Sequence, residues 1–449
     1  MSMIPDSSYR ETIEYLYALQ KHGIKLALSN SVTLMKIMGN PHRKFRSVHV
    51  AGTNGKGSTS AFMASMLRAA GYRVGLYTSP HLVSFTERIR INNVPITEAR
   101  TVELAQRVRD GYQSSSGGTA GLNPTFFEVT TAMAFTCFAE EGVDIAVVET
   151  GMGGRLDATN VITPLVAVIT NIDIEHTEFL GNTLELIAGE KAGIIKSGVP
   201  VVTGAAQPAV VRVIKREAAA RQAPVYRLSD DFNCKRISSG REQRFHYRGI
   251  KAACGGLTIT IPGTYQVDNA CLALASIECL RAAGVPVDEH ALRSGLEQAH
   301  WEGRLERVAQ KPDLYLDGAH NPASARMLAG TVRDMKRAYR RLVLVLGILG
   351  DKDYRGIVSE LVPLADHVIV TKPEYSRAMD VAVLSSEVRA LNASVETAET
   401  VSKAIVAAQA MAAPDDLILV TGSLYVVGDA RAAFVEHDRK ARALSGLKG

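Results

Sequence analysis

Apolar residues along this chain fall into short, nearly unbroken runs, and those runs alternate with stretches of helical period. Residues 46–51 (RSVHVA), 72–77, 143–149 (VDIAVVE), 165–171 (LVAVITN) and 199–203 read as strands. Runs with so little polar interruption belong to strands covered on both faces, as in a parallel sheet between helices. Helical spacing of apolar positions predicts helices over 9–20, 58–70, 125–140 and 269–283. Residues 225–262 are short, polar and β-like, and read as an antiparallel flank on the first unit. A second α/β pattern starts near residue 298, with strands expected at 314–316, 342–346, 367–370 and 417–421. The expected fold class is α/β with two doubly wound domains: an N-terminal phosphate-loop domain over 1–297 and a smaller C-terminal Rossmann-like domain over 298–449. Ligands of such folds sit at the carboxyl ends of the strands, here in the cleft between the two units.

Composition narrows the class. A chain of 449 residues exceeds what one core ordinarily serves, which agrees with two domains. Lys plus Arg exceed Asp plus Glu by five, and the excess is spread along the chain. No basic run carries interleaved aromatics, so nucleic acid is not an expected partner. Cys137, Cys234, Cys254, Cys271 and Cys279 form no CxxC pair and read as reduced thiols of a cytoplasmic protein. The N-terminus lacks a basic segment followed by an apolar one, and no apolar stretch reaches membrane-spanning length, so neither export nor a membrane is expected.

Candidate chemistry begins after the first strand. Gly52, Thr53, Asn54, Gly55, Lys56, Gly57 and Ser58 lie between a strand and a helix. Glycines let backbone N–H groups approach phosphate oxygens, and the helix N-terminus adds a positive dipole. Lys56 supplies a full charge for the β- and γ-phosphates, and Ser58 or Thr59 can face magnesium. The spacing departs from the GxxxxGK[ST] loop, with a shorter gap and Gly57 after the lysine. Glu149 ends the strand VDIAVVE, a placement suited to magnesium, although a strand-end acid alone is more often surface. His176 follows the strand LVAVITN, where it can hold a second metal or orient a phosphate. Lys191, next to Glu190, reads from the residues alone as an ion-paired lysine, with Glu190 or Glu149 as partner.

The string GTNGKGS is the form used by the Mur-ligase superfamily. Further strings follow in order: Ser79-Pro80-His81-Leu82, the glycine-rich run 151–160 (GMGGRLDATN), HTEFLG at 176–181, EKAGI at 190–194, Gly303-Arg304-Leu305-Glu306, LDGAHNP at 316–322, Asp351-Lys352-Asp353 and TGSLY at 421–425. With these the chain, over about residues 23–431, resembles the folylpolyglutamate synthase/dihydrofolate synthase family. The resemblance implies a Mur-ligase type ATP-binding domain and a C-terminal glutamate ligase domain. It implies an ATP-dependent ligase that joins L-glutamate to a pteroate or folate carboxylate through an acyl phosphate, acting as a monomer on small molecules (dihydropteroate or a reduced folate, L-glutamate and ATP). Carried over, residues 53–58 with Asn269, Arg304 and Asp317 would bind ATP. Ser79 and Glu149 would hold one magnesium ion, and His176 a second. Lys191 would carry a CO2-derived carbamate. Ile24, Lys25, Leu26, Thr125, Phe126, Phe127, Glu128, Leu156, Asp157 and Ala158 would form the pterin side. Ser423 and Tyr425 would lie near the incoming glutamate, with His320 accepting its amine proton. Glu175 before His176, Thr150 and Met152 around the glycines, and Tyr265 depart from the family pattern. Two other readings remain. A Mur enzyme acting on a UDP-sugar peptide would need a longer segment before Gly52. A phosphate-loop switch would hydrolyse nucleotide without an acid or an amino acid.

Overall fold

The computed structural model describes residues 6–23, 27–114, 122–238, 242–392 and 394–445. Its first sheet is built on β1 (Arg46–Ala51), β2 (Val74–Tyr77), β3 (Ile89–Ile91), β4 (Val94–Pro95), β5 (Ile145–Glu149), β6 (Val166–Ile169), β7 (Val201–Thr203) and β8 (Val225–Arg227), in the order 4-3-2-5-1-6-7-8. β3 pairs antiparallel with both β2 and β4, and the remaining pairs are parallel. The all-apolar runs become central strands because helices cover both faces. β1 is buried from Ser47 onward, and β5 and β6 throughout.

On one face lies the helix Lys56–Ala69, buried from Gly57 to Leu67 beneath the helices Tyr265–Ala282 and Glu289–Gln298. Gly295 is what admits this contact, since a Cβ there would stand 2.4 Å from the Met66 Cα. On the other face pack Glu98–Ser114 and Phe126–Glu140. The helix Phe126–Glu140 starts where sequence placed it, because Thr125 caps it and Glu128 closes the capping box.

The expected flank over 225–262 divides in two. Its first strand, β8, extends the main sheet in parallel with β7, since a three-residue strand next to a parallel edge completes the β–α–β unit begun at β7. The rest forms a separate antiparallel sheet of β9 (Asn233–Ser238), β10 (Gln243–Arg248) and β11 (Ala253–Ile259). The second α/β unit has β12 (Glu306–Ala309), β13 (Asp313–Leu316), β14 (Leu342–Leu346), β15 (His367–Val370), β16 (Val395–Thr397) and β17 (Leu417–Thr421), ordered 12-13-17-14-15-16. Only β12 runs antiparallel. The edge strands β12 and β16 were not anticipated; their half-buried, mixed composition carries no apolar run.

Candidate active site

β5 reaches β6 by crossing over β1, and there the carboxyl ends of β1, β5 and β6 converge, as ligand sites of such sheets do. The loop after β1 is held from β6. Asn171 takes two of its amides, accepting from Thr53 N with its carbonyl (2.9 Å) and from Asn54 N with Oδ1 (2.7 Å). Thr170 Oγ1 donates to Asn54 O at 2.6 Å. Gly52 (φ +150°) and Gly55 (φ +82°) could not be replaced without displacement: a Cβ would sit 1.8 Å from Thr170 Oγ1 and 2.4 Å from Asn269 Oδ1 respectively. With the Thr53 and Asn54 amides engaged, the N–H groups free for phosphate are those of the first helical turn, from Lys56 on.

These residues line a cavity of about 330 Å³ between the two units. From the first unit come residues 52–58, Ser79, Glu149, His176, Lys191 and Asn269; from the second, Arg304, Asp317 and His320. Every residue expected to bind ATP or metal therefore meets in one cleft. Lys56 Nζ rests 3.1 Å from both Gly52 O and Thr53 O, folded onto its own loop. Glu149 is buried, receives a hydrogen bond of 3.4 Å from Ser79 N, and has its carboxyl pushed up to about 7 by burial. His176, at φ +51°, is held down at about 4, mainly by partial burial. Asp317 is buried, accepts from the amides of Leu305 (3.0 Å) and Ala319 (2.9 Å), and is raised by that burial.

Lys191 does not pair with Glu190, which is bound instead by Arg155 at 2.7 Å. Its Nζ donates to Gly52 O at 2.7 Å in a site where the residue is 3% exposed. Burial first, and the Lys56 charge second, bring its ammonium down to about 7.

His320 directs Nδ1 at Gly318 O (2.8 Å) and Nε2 at Glu175 Oε1 (3.3 Å), so both ring nitrogens face oxygen acceptors. In this arrangement neither nitrogen is open to an amine. Sequence reasoning also passed over Asn321, whose side-chain amide pairs reciprocally with that of Asn54 (3.0 and 3.3 Å) and ties the two units across the cleft. The signal was present, since Asn321 stands inside LDGAHNP, but an asparagine there reads as a helix cap. It is that too.

The residues expected on the pterin side sit elsewhere. Among the described residues, none of Thr125, Phe126, Phe127, Glu128, Leu156, Asp157 or Ala158 lines the cavity. Phe126 stacks on Tyr17 (5.6 Å) beneath the Arg88 guanidinium (5.1 Å). Phe127 packs against Gly151, a cavity-wall residue. Glu128 accepts from Thr125 N and from Asn30 Nδ2, and Asp157 accepts from Met152 N and Thr159 N. Ile24, Lys25 and Leu26 lie outside the described residues. Ser423 is buried, and its Oγ accepts from Tyr425 N; Tyr425 stacks on Tyr375 at 3.9 Å.

The family model of the Mur ligase middle domain matches residues 50–277, and that of the Mur ligase glutamate ligase domain matches residues 303–424. The dihydrofolate synthase/folylpolyglutamate synthase of Bacillus subtilis is 38% identical over 431 residues, spanning 95% of this chain and 99% of its own. The like-named protein of Mycobacterium tuberculosis is 39% identical over 91% of this chain and 90% of its own. Among solved structures, Mycobacterium tuberculosis folylpolyglutamate synthase complexed with ADP superposes with a TM-score of 0.89 at 37% identity, covering 95% of this chain and 99% of that one. Escherichia coli FolC in complex with DHPP and ADP superposes at 0.84 with 31% identity, covering 95% and 98%.

Proposed function

Since this chain belongs to the dihydrofolate synthase/folylpolyglutamate synthase family of Mur-type ligases, we propose that it both makes dihydrofolate from dihydropteroate and extends the glutamyl tail of reduced folates. It is an ATP-dependent acid–amino-acid ligase. One observation carries the mechanism: the phosphate loop and Glu149 of the first unit share a cavity with Arg304, Asp317 and His320 of the second.

A carboxylate does not condense with an amine in water, because its oxygen is a poor leaving group. Attack of the substrate carboxylate on the γ-phosphate of ATP gives an acyl phosphate and ADP; the amine of L-glutamate then displaces phosphate. Lys56 leaves its loop carbonyls to meet the charge spreading over the transferred group, together with the amides of the first helical turn. Arg304, Asp317 and Asn269 serve as further contacts to ATP. Closing the second unit over the first keeps water from the acyl phosphate.

Magnesium fits the donor set. Glu149 and Ser79 offer hard oxygen atoms beside the phosphate loop, and a cation would relieve the buried Glu149 carboxylate. Among the described residues no three His, Cys, Asp or Glu side chains cluster into an all-protein cage, which suits an ion that retains water and phosphate ligands. His176 is assigned to a second ion. Bound magnesium neutralises phosphate charge and orients the γ-phosphoryl group. Glu149→Gln and His176→Ala are each expected to raise the magnesium concentration for half-maximal rate at least tenfold. Unchanged magnesium titration curves for both variants sink the assignment.

The pterin is assigned to the aromatic surface around Phe126, Phe127 and Leu156 together with residues 24–26, and the amino acid to the neighbourhood of Ser423 and Tyr425. The domain boundary is placed at 297/298, at the end of the helix Glu289–Gln298 that packs on Lys56–Ala69 and before β12. Five free cysteines support a reducing cytoplasmic setting, and the chain is read as a monomer. No helix among the described residues is long and apolar enough to cross a membrane.

The test is a phosphate-release assay with product masses. Release is expected only when ATP, a pteroate-type acid and L-glutamate are all present, with products one glutamyl residue heavier from both dihydropteroate and a reduced folate monoglutamate. Phosphate release without acid or amino acid would favour a nucleotide switch instead.

A further inference from the structure

Glu175 stands on the loop after β6, one residue before His176, and its side chain is 8% exposed. Its Oε1 lies 3.3 Å from His320 Nε2 and 3.8 Å from Lys352 Nζ, both delivered by the second unit, and 3.7 Å from His176 Nε2. One carboxylate oxygen thus gathers three basic groups from both sides of the cleft, on the wall of the reaction cavity. The His320 contact is a hydrogen bond, whereas the Lys352 and His176 distances are long for a structural ion pair. Arg90, by contrast, grips Glu302 through two bonds of 3.1 and 3.2 Å. Nor does the junction between the units depend on Glu175, because the Asn54–Asn321 amide pair spans it independently.

We propose that the Glu175 carboxylate is an internal occupant of the subsite that takes a carboxylate of the incoming amino acid, with His320 and Lys352 as the groups that read it. The proposal rests on the glutamate-ligase reading and adds to it how the site is kept while empty. The Glu175 side chain presents the same chemical group as the side chain of free L-glutamate. It gives His320 Nε2 and the Lys352 ammonium, on side chains 25% and 16% exposed, an acceptor within the protein. Incoming glutamate takes over these partners and Glu175 turns away.

An internal competitor weakens the ligand that displaces it, so its removal must tighten binding. Glu175→Gln keeps the shape and removes the charge. The KM for L-glutamate is expected to fall at least fivefold, with the KM for ATP within twofold. A residue that only braces the two units gives the opposite result, a raised glutamate KM or a lowered kcat. Calorimetric binding of L-glutamate, with ADP and magnesium present, makes the same comparison without turnover. At least fivefold tighter binding to the variant supports the proposal; equal, weaker or absent binding overturns it. Glu175→Asp, one methylene shorter, serves if the first variant does not fold, and must shift binding in the same direction. Failure of the ligase reading shows separately, as a wild-type protein that forms no glutamyl product.

Discussion

A folded Lys56→Ala variant is expected to lose at least a hundredfold in turnover, about 2.7 kcal/mol of transition-state stabilisation. The lysine is the one full charge within the phosphate loop, and its ammonium already hovers over the loop where phosphate must lie, 3.1 Å from Gly52 O and Thr53 O. Charge on the γ-phosphoryl group spreads as the bond to ADP loosens, and a cation positioned in a water-poor cleft acts on it more strongly than in solvent. The substitution removes no packing from the core, so the thermal melting temperature should stay within a few degrees of wild type. Steady-state turnover alongside a melting curve provides the check. Retention of more than a tenth of wild-type turnover by a folded protein refutes the role.

Lys191 yields the second large effect. Carbamate forms when a neutral amine adds to CO2 with loss of a proton, so an ammonium must first be deprotonated. An ordinary lysine titrates near 10.5 and Lys191 at about 7, which makes its neutral form on the order of a thousandfold more abundant at pH 7. Burial is the main cause and the Lys56 charge the second. The sign follows: the neutral amine is abundant above pH 7 and scarce below it, so carbamate and activity should both fall as pH drops from 8 to 6. A carbamate retains one N–H for the Gly52 carbonyl and replaces a positive charge beside the proposed metals with a negative one. Depleting CO2 should lower wild-type activity, and bicarbonate should restore it. Lys191→Ala is expected to lose at least a hundredfold in kcat and to regain part of it with acetate or formate. Indifference of the wild type to CO2, together with an intact-protein mass lacking the added CO2 at pH 8, would exclude the carbamate.

Much of this was legible from the chain. Unbroken apolar runs identified the central strands of the two α/β sheets, because a strand covered on both faces has no polar alternation to obscure it. β1 was read to its exact ends, Arg46–Ala51, and the glycines after it announced a backbone that side chains cannot follow. Glu149 at a strand end and His176 beyond the next strand could be marked as cleft residues because parallel sheets place ligands at their carboxyl ends, whereas Asp317 was marked only through the family resemblance. Edge strands were less legible. β8 was assigned to the wrong sheet and β12 and β16 were missed, since half-exposed strands carry mixed sequences and their partners are chosen by the chain elsewhere.

What tertiary structure alone decided is the pairing of charged groups. Sequence neighbours suggested Lys191 with Glu190, yet Arg155 takes Glu190 and Lys191 turns inward to Gly52, because consecutive residues on a helix point in different directions. Glu175 and Lys352 are 177 positions apart, and Asn54 and Asn321 are 267 apart; only the approach of two units brings them within reach. The depressed Lys191 and raised Glu149 likewise have no local signature, since burial belongs to the folded molecule and not to any short segment of it.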